Sequence, residues 1–180
     1  MKLGAAGLAP LLLLAACAAN PISKPFDQSG LPAAVRVPAG NKVSIVLAGN
    51  GEMTYQCRHL GSATGRHGWV FVAPDTKLMD GGGTQVGRYF GTPATWDYWA
   101  GSRVTGNEVA TAPGGAGNLP LQLVKANPAT GSQGAMTGTT FIQRVNVQGG
   151  VAPDAPCEWI NVGQTRAIKY QADYVFYRAM

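Results

Sequence analysis

The residues of this chain best suited to covalent chemistry are its three cysteines. Cys17 closes the run Leu14-Ala15-Ala16-Cys17, after the apolar stretch Leu8 to Leu14 and the basic start Met1-Lys2. That order is the pattern of a bacterial lipoprotein signal, a short hydrophobic segment followed by small residues and a cysteine. The thiol of such a cysteine takes a diacylglycerol and its new amine a third acyl chain, which together exceed what stable membrane anchoring needs. The apolar run is too short to span a bilayer as a helix. Residues 1–16 therefore read as a cleaved signal peptide and Cys17 as the lipidation site. The expected product is a membrane-anchored lipoprotein facing the periplasm. Ala18 stands where an Asp retains many such proteins at the inner membrane, so the outer membrane is the expected destination. Cys57 and Cys157 remain. Two thiols in one exported domain suit a disulfide, the alternative being two separate buried thiols. A bond would close a loop whose entropy is worth roughly 4–5 kcal/mol.

The other candidates for chemistry are weaker. His59 and His67, with Met53 or Met79, would make a soft metal site, but two imidazoles without a third ligand or a carboxylate read better as loop residues. No metal and no cofactor is implied. Asp75, Asp80, Asp97 and Asp173 are dispersed along the chain and do not announce a paired-carboxylate glycosidase. Ser62, Ser102 and Ser132 lack the nucleophile-elbow pattern. Gly81-Gly82-Gly83 lacks the spacing and lysine of a phosphate loop and reads as a turn. No catalytic residue is assigned. In Trp96-Asp97-Tyr98-Trp99 the aromatic residues Trp96, Tyr98 and Trp99 could stack on sugar rings or grip an apolar ligand, against the alternative that Trp96 is core. The formal net charge of +5 is scattered without a Lys/Arg run, which excludes nucleic acid as a partner and leaves a weak attraction to anionic envelope polymers or headgroups.

The elements that must position these residues are strands. Gly numbers 25 and Pro 12 while charged residues are 13%, a mixture that favours short strands and turns over salt-bridged helices. Residues 17–30 read as a lipidated tether and 31–180 as one domain. Val43, Ile45 and Leu47 share one face of a strand, Met53, Tyr55 and Cys57 share one face of the next, and Asn50-Gly51 between them reads as a hairpin turn. Trp69 to Ala73 is a buried strand ended by Pro74-Asp75. Thr139 to Val147 is another, stopping at Gly149-Gly150, and Tyr170 to Tyr177 forms a closing strand. Leu119 to Ala126 admits a short helix. The fold class is all-β, a single-domain antiparallel β-sandwich or partly closed barrel.

Several motifs in order carry a family resemblance. They are Tyr55-Gln56-Cys57, Trp69-Val70-Phe71-Val72-Ala73-Pro74-Asp75, Phe141-Ile142-Gln143-Arg144-Val145-Asn146-Val147-Gln148-Gly149-Gly150 with Ala152-Pro153, and Tyr170 to Tyr177. The chain resembles the domain of unknown function 3455 over roughly Val35 to Arg178. The resemblance implies an exported domain found in bacteria and fungi, with cysteines falling at Cys57 and Cys157, in agreement with the disulfide. The family's middle usually holds a His-aromatic pair, then Gly-Pro-Thr-Trp, then Asp-Gly-Ser. Here Tyr89 stands at the His position and Ala100 at the Asp position. If those polar groups serve as metal ligands or as an acid/base pair elsewhere in the family, this member lacks them.

The sequence thus leads to a lipid-anchored cell-envelope protein with a non-catalytic binding or structural role, whose partners are the membrane through its lipid and a glycan or another envelope protein. The alternative is an envelope enzyme, hydrolase-like, with a site assembled from dispersed Asp, His and Tyr residues.

Overall fold

A computed structural model of the protein describes residues 26–61 and 65–180. Cys17, Ala18 and Ser62 lie outside the described residues. The domain is all-β, as its composition predicts. Among the described residues nine strands form one antiparallel sheet: β1 (Asn41–His59), β2 (His67–Met79), β3 (Gln85–Phe90), β4 (Thr95–Tyr98), β5 (Ser102–Ala112), β6 (Leu121–Ala126), β7 (Thr130–Gly131), β8 (Thr139–Gly149) and β9 (Thr165–Ala179). The order is β4-β3-β2-β1-β9-β8-β6-β5, with β7 beside β5, and β4 pairs back onto β5 to close a ring. The ring is not a regular barrel, because β1, β2 and β9 are far longer than the strands opposite them. Beyond Asp75 toward its N-terminus β2 has no β3 partner, and β8 pairs with β9 only as far as Gly149 and Tyr170. The overhanging parts of β2, β1 and β9 therefore leave the ring as a three-stranded arm.

Alternation sorts side chains onto the two faces of the sheet. On β9, Tyr170, Ala172, Tyr174 and Phe176 point into the ring, where they meet Leu47, Met53, Leu78, Trp96 and Ile142. Val175 and Tyr177 point outward into a second core with Leu123 and Val145. Residues 26–37 cover this second core as a strap: Val35 and Val37 are buried there, and Phe26 and Leu31 pack against it. Gln143, fully buried, pins the strap. Its Nε2 donates to the Val35 carbonyl at 2.6 Å and to Gln28 Oε1 at 3.1 Å, and its Oε1 accepts from Tyr177 Oη at 2.6 Å. Burial without unmet donors or acceptors is what makes a polar side chain tolerable in this position.

Four expectations are corrected. Asn50-Gly51 is not a turn but the middle of β1, where Asn50 pairs with both Lys77 and Gln171. Glycine is required there for closeness: a Cβ on Gly51 would sit 2.1 Å from the Asp75 carbonyl oxygen. Val43 does not share a face with Ile45 and Leu47. A bulge between Val43 and Ile45 turns Val43 to the outer core while Ile45 and Leu47 stay inside. β2 does not end at Pro74 but runs on to Met79. Pro74 lies beside the irregularity opposite Thr54 and Tyr55, one residue before pairing with β3 begins, a place where a missing N–H is tolerated. Leu119 to Ala126 holds β6 in place of a helix, because Leu123 and Val124 must serve the outer and inner cores in alternation. The turn at Gly81-Gly82-Gly83 forms as expected, with Asp80 Oδ1 accepting from the amides of Gly82 and Thr84.

Candidate functional site

The disulfide joins Cys57 of β1 to Cys157. It lies on the arm. Segment 158–164, which contains a single 3-10 turn at Trp159–Asn161, is further tied to β1 by Cys57 N to Gln164 O and Gly163 N to Cys57 O, both 2.9 Å. Trp69 Nε1 donates to Ala155 O at 2.7 Å, so the chain crosses the arm before reaching the disulfide.

The aromatic cluster is divided by the fold. Trp96 is 1% exposed and stacks on Tyr89 at 4.8 Å, with Tyr174 edge-on at 5.9 Å. Tyr98 is partly buried against the same core, and Trp99, at the turn into β5, is 60% exposed. These three do not form one surface. His59 and His67 meet edge to face at 5.0 Å across the β1–β2 ladder. Among the described residues no three His, Cys, Asp or Glu side chains gather as a metal site. Ser102 is buried and accepts from Met136 N, and Ser132 is exposed. Asp75 pairs with Arg88 at 3.1 Å and Asp97 with Arg103 at 3.2 Å; Asp173 accepts from Asn146 Nδ2.

Inside the ring, four tyrosines surround one arginine. Tyr55 Oη donates to Gly150 O at 2.6 Å, and Tyr170 and Tyr174 share a hydrogen bond at 3.0 Å. Arg144, 8% exposed, donates through Nε and Nη2 to Pro120 O. Burial pushes the phenols of Tyr55, Tyr89, Tyr170 and Tyr174 upward, and the Arg144 charge opposes that rise in each. The quoted motifs supply Tyr55, Arg144, Tyr170 and Tyr174, so the resemblance marks an interior network. Burial keeps these phenols neutral, and together with the capped guanidinium they fill the interior of the ring.

A groove of about 750 Å³ lies on the outer face across β2, β1, β9 and β8 at the root of the arm. Register arranges its walls in two rows. Lys77, Asn50, Gln171 and Gln148 stand side by side on successive strands, and Asp75, Glu52 and Lys169 form the next row. The first row continues around the ring through Arg88, Asp97 and Arg103, each the registered partner of the one before. A polar girdle thus crosses seven strands, with guanidiniums of Arg88 and Arg103 over the Phe90 ring at 5.1 and 5.9 Å. No motif in the sequence announces the girdle, since its members are at least six residues apart and meet only through strand pairing; the exposed polar alternate positions of β1, β2 and β9 were the one available signal.

Among curated proteins and among solved structures, no match to the chain is found. A family model does match: residues 38–178 fit the family described as Protein of unknown function (DUF3455), a span that includes the whole ring, the arm, the disulfide and the groove. The chain belongs to that family.

Proposed function

We propose that the protein is a non-catalytic binding protein of the bacterial cell envelope, carried on acyl chains at Cys17 and facing the periplasm from the outer membrane. The girdle carries this reading. A row of amide and ammonium side chains set in the groove, continued outside it by Arg88, Asp97 and Arg103, suits a polyhydroxylated chain such as an envelope glycan. Hydroxyl groups exchange water for such fixed donors and acceptors at little cost, and the groove presents no exposed aromatic platform that would favour an apolar ligand. Trp99 stands apart from the groove, so the girdle takes precedence over the Trp96–Trp99 cluster as the binding surface.

Titration calorimetry of the protein with soluble glycan strands released from its host's envelope tests the site. Binding that weakens at least tenfold when Asn50→Ala and Gln171→Ala are combined supports it. Unchanged binding in that variant, or none to any envelope glycan, rejects it. Mass spectrometry of protein extracted from host membranes tests the anchor: an N-terminus at Cys17 bearing acyl mass is expected, and a retained Met1 overturns it.

One observation favours a second reading. Glu52 and Asp75 are directly opposite on β1 and β2 in the groove wall, both exposed, and paired carboxylates are the equipment of glycan hydrolysis. If the groove cleaves the glycan, Glu52→Gln abolishes release of reducing ends while binding persists.

A further inference from the structure

Closing a sheet into a ring removes its edges, and the ring here does so. The arm restores two. On one side, residues 165–169 of β9 lie beyond the reach of β8. That edge is short and carries Arg166 and Lys169, and Gly150 N already bonds to Lys169 O. Charge and a capping contact of this kind are how natural sheets blunt an edge. On the other side, residues 67–74 of β2 pair with β1 alone, and among the described residues no backbone hydrogen bond reaches their outer side. This edge has no such protection along most of its length. His67-Gly68-Trp69-Val70-Phe71-Val72-Ala73 contains no acidic residue, lysine or arginine, and Phe71 is 43% exposed. Only the irregularity at Val72 and the missing N–H of Pro74 limit it, both at one end.

We propose that this edge of β2 pairs antiparallel with the same edge of a second copy of the chain, joining two arms into one continuous six-stranded sheet. The chemistry of the occupant follows from the edge itself: a row of unpaired backbone donors and acceptors is satisfied along its length only by another extended strand. Self-pairing fits because the run is uncharged, so apposing it to itself brings no like charges together. Antiparallel pairing also sets the exposed Arg66 end of each copy toward the exposed Asp75 end of the other, which is a complementary arrangement even though Asp75 already meets Arg88. Trp69, Val70 and Phe71 then become central cross-strand neighbours, the residue types that gain most from pairing. The contact is isologous and closes at two copies, so it yields a dimer and not a fibre.

The full chain, extracted from its host membranes in detergent, is followed by sedimentation over a dilution series, with amide hydrogen exchange read at both ends of the series. The expected result is a dimer whose amides at 68–71 are protected at high concentration and lose that protection on dilution. Val70→Lys, which places on this edge the device that β9 already carries, should halve the mass while leaving the far-ultraviolet circular dichroism unchanged. A chain that is monomeric throughout overturns the proposal, as does a dimer whose amides at 68–71 exchange equally fast at both ends of the series or whose mass Val70→Lys does not change. If the edge instead serves a strand from a different protein, the purified chain is monomeric, and that result also counts against it.

Discussion

The ring and the arm share three strands, β1, β2 and β9, yet they are stabilised by different means. In the ring, β1, β2 and β9 have partners on both sides of the ribbon and a filled interior, with Leu47, Leu78, Trp96, Tyr174 and Phe176 all at 1% exposure or less. In the arm the same strands run on over a thinner interior, in which Met53, Tyr55, Trp69 and Ile168 prolong the ring's core. Leu60, Phe71, Trp159, Ile160 and Val162 are exposed there, and the disulfide, the Trp69–Ala155 hydrogen bond and the bonds of Cys57 to Gly163 and Gln164 reinforce that thinner core. Three strands covered on one face by a short crossing segment bury less apolar area against the entropy of ordering them. The covalent link is placed where burial thins.

Removing the link is the strongest way to separate the two regions. In Cys57→Ser with Cys157→Ser the loop between residues 100 apart is no longer closed in the unfolded chain, and a stability loss of roughly 4–5 kcal/mol is expected in chemical denaturation. Hydrogen exchange should accelerate first at 55–59 and 165–168, and an equal acceleration at Leu47 and Tyr174 would show that arm and ring unfold as one unit. Trp96→Ala attacks the ring instead. It removes the side chain stacked on Tyr89 and should cost about 3–5 kcal/mol in the same assay while leaving the disulfide formed.

Alkali addresses the ring through its phenols. Tyr170 and Tyr174 are raised above the usual tyrosine value of 10.0, and Tyr177, in the outer core, is pushed up to about 12, all by burial. A folded-state value above the unfolded one means that the contribution is complete below pH 10 and is lost as pH rises from there toward 12. Tyrosinate absorbance should therefore appear together with loss of near-ultraviolet circular dichroism; tyrosines that ionise near pH 10 in an intact fold would show that the ring admits water. The smallest effect belongs to the arm's surface. Trp159→Ser, at a position 76% exposed, should change stability by no more than about 0.5 kcal/mol. A larger loss would mean that Trp159 packs against the arm despite its exposure.

The same contrast explains what could be read from the sequence. Tyr170 to Tyr177 was legible as a strand because alternation was reinforced by β-favouring side chains on both faces, one serving each core. Cys57 and Cys157 were legible as a pair once Cys17 was set aside. Asn50-Gly51 misled because the same dipeptide that makes a tight turn also permits two strands to approach closely, and nothing local distinguishes them. Trp96 looked equally fit for a ligand or a core, and its stacking partners Tyr89 and Tyr174 are 7 and 78 positions away along the chain. The groove was hidden for the same reason: Lys77, Asn50, Gln171 and Gln148 become neighbours only through register.

The first long strand of the domain pairs with the last, Asn41 opposite Ala179, and it does so over most of its length. A polypeptide made from its N-terminus presents β1 early and β9 only after the rest of the domain, so β1 waits without its principal partner until β9 has been made. Closing that pairing carries a large loop entropy and a slow rate. During that interval the stretch Trp69 to Ala73 is open to any other extended chain, the kind of exposure that makes strand-rich intermediates prone to aggregate.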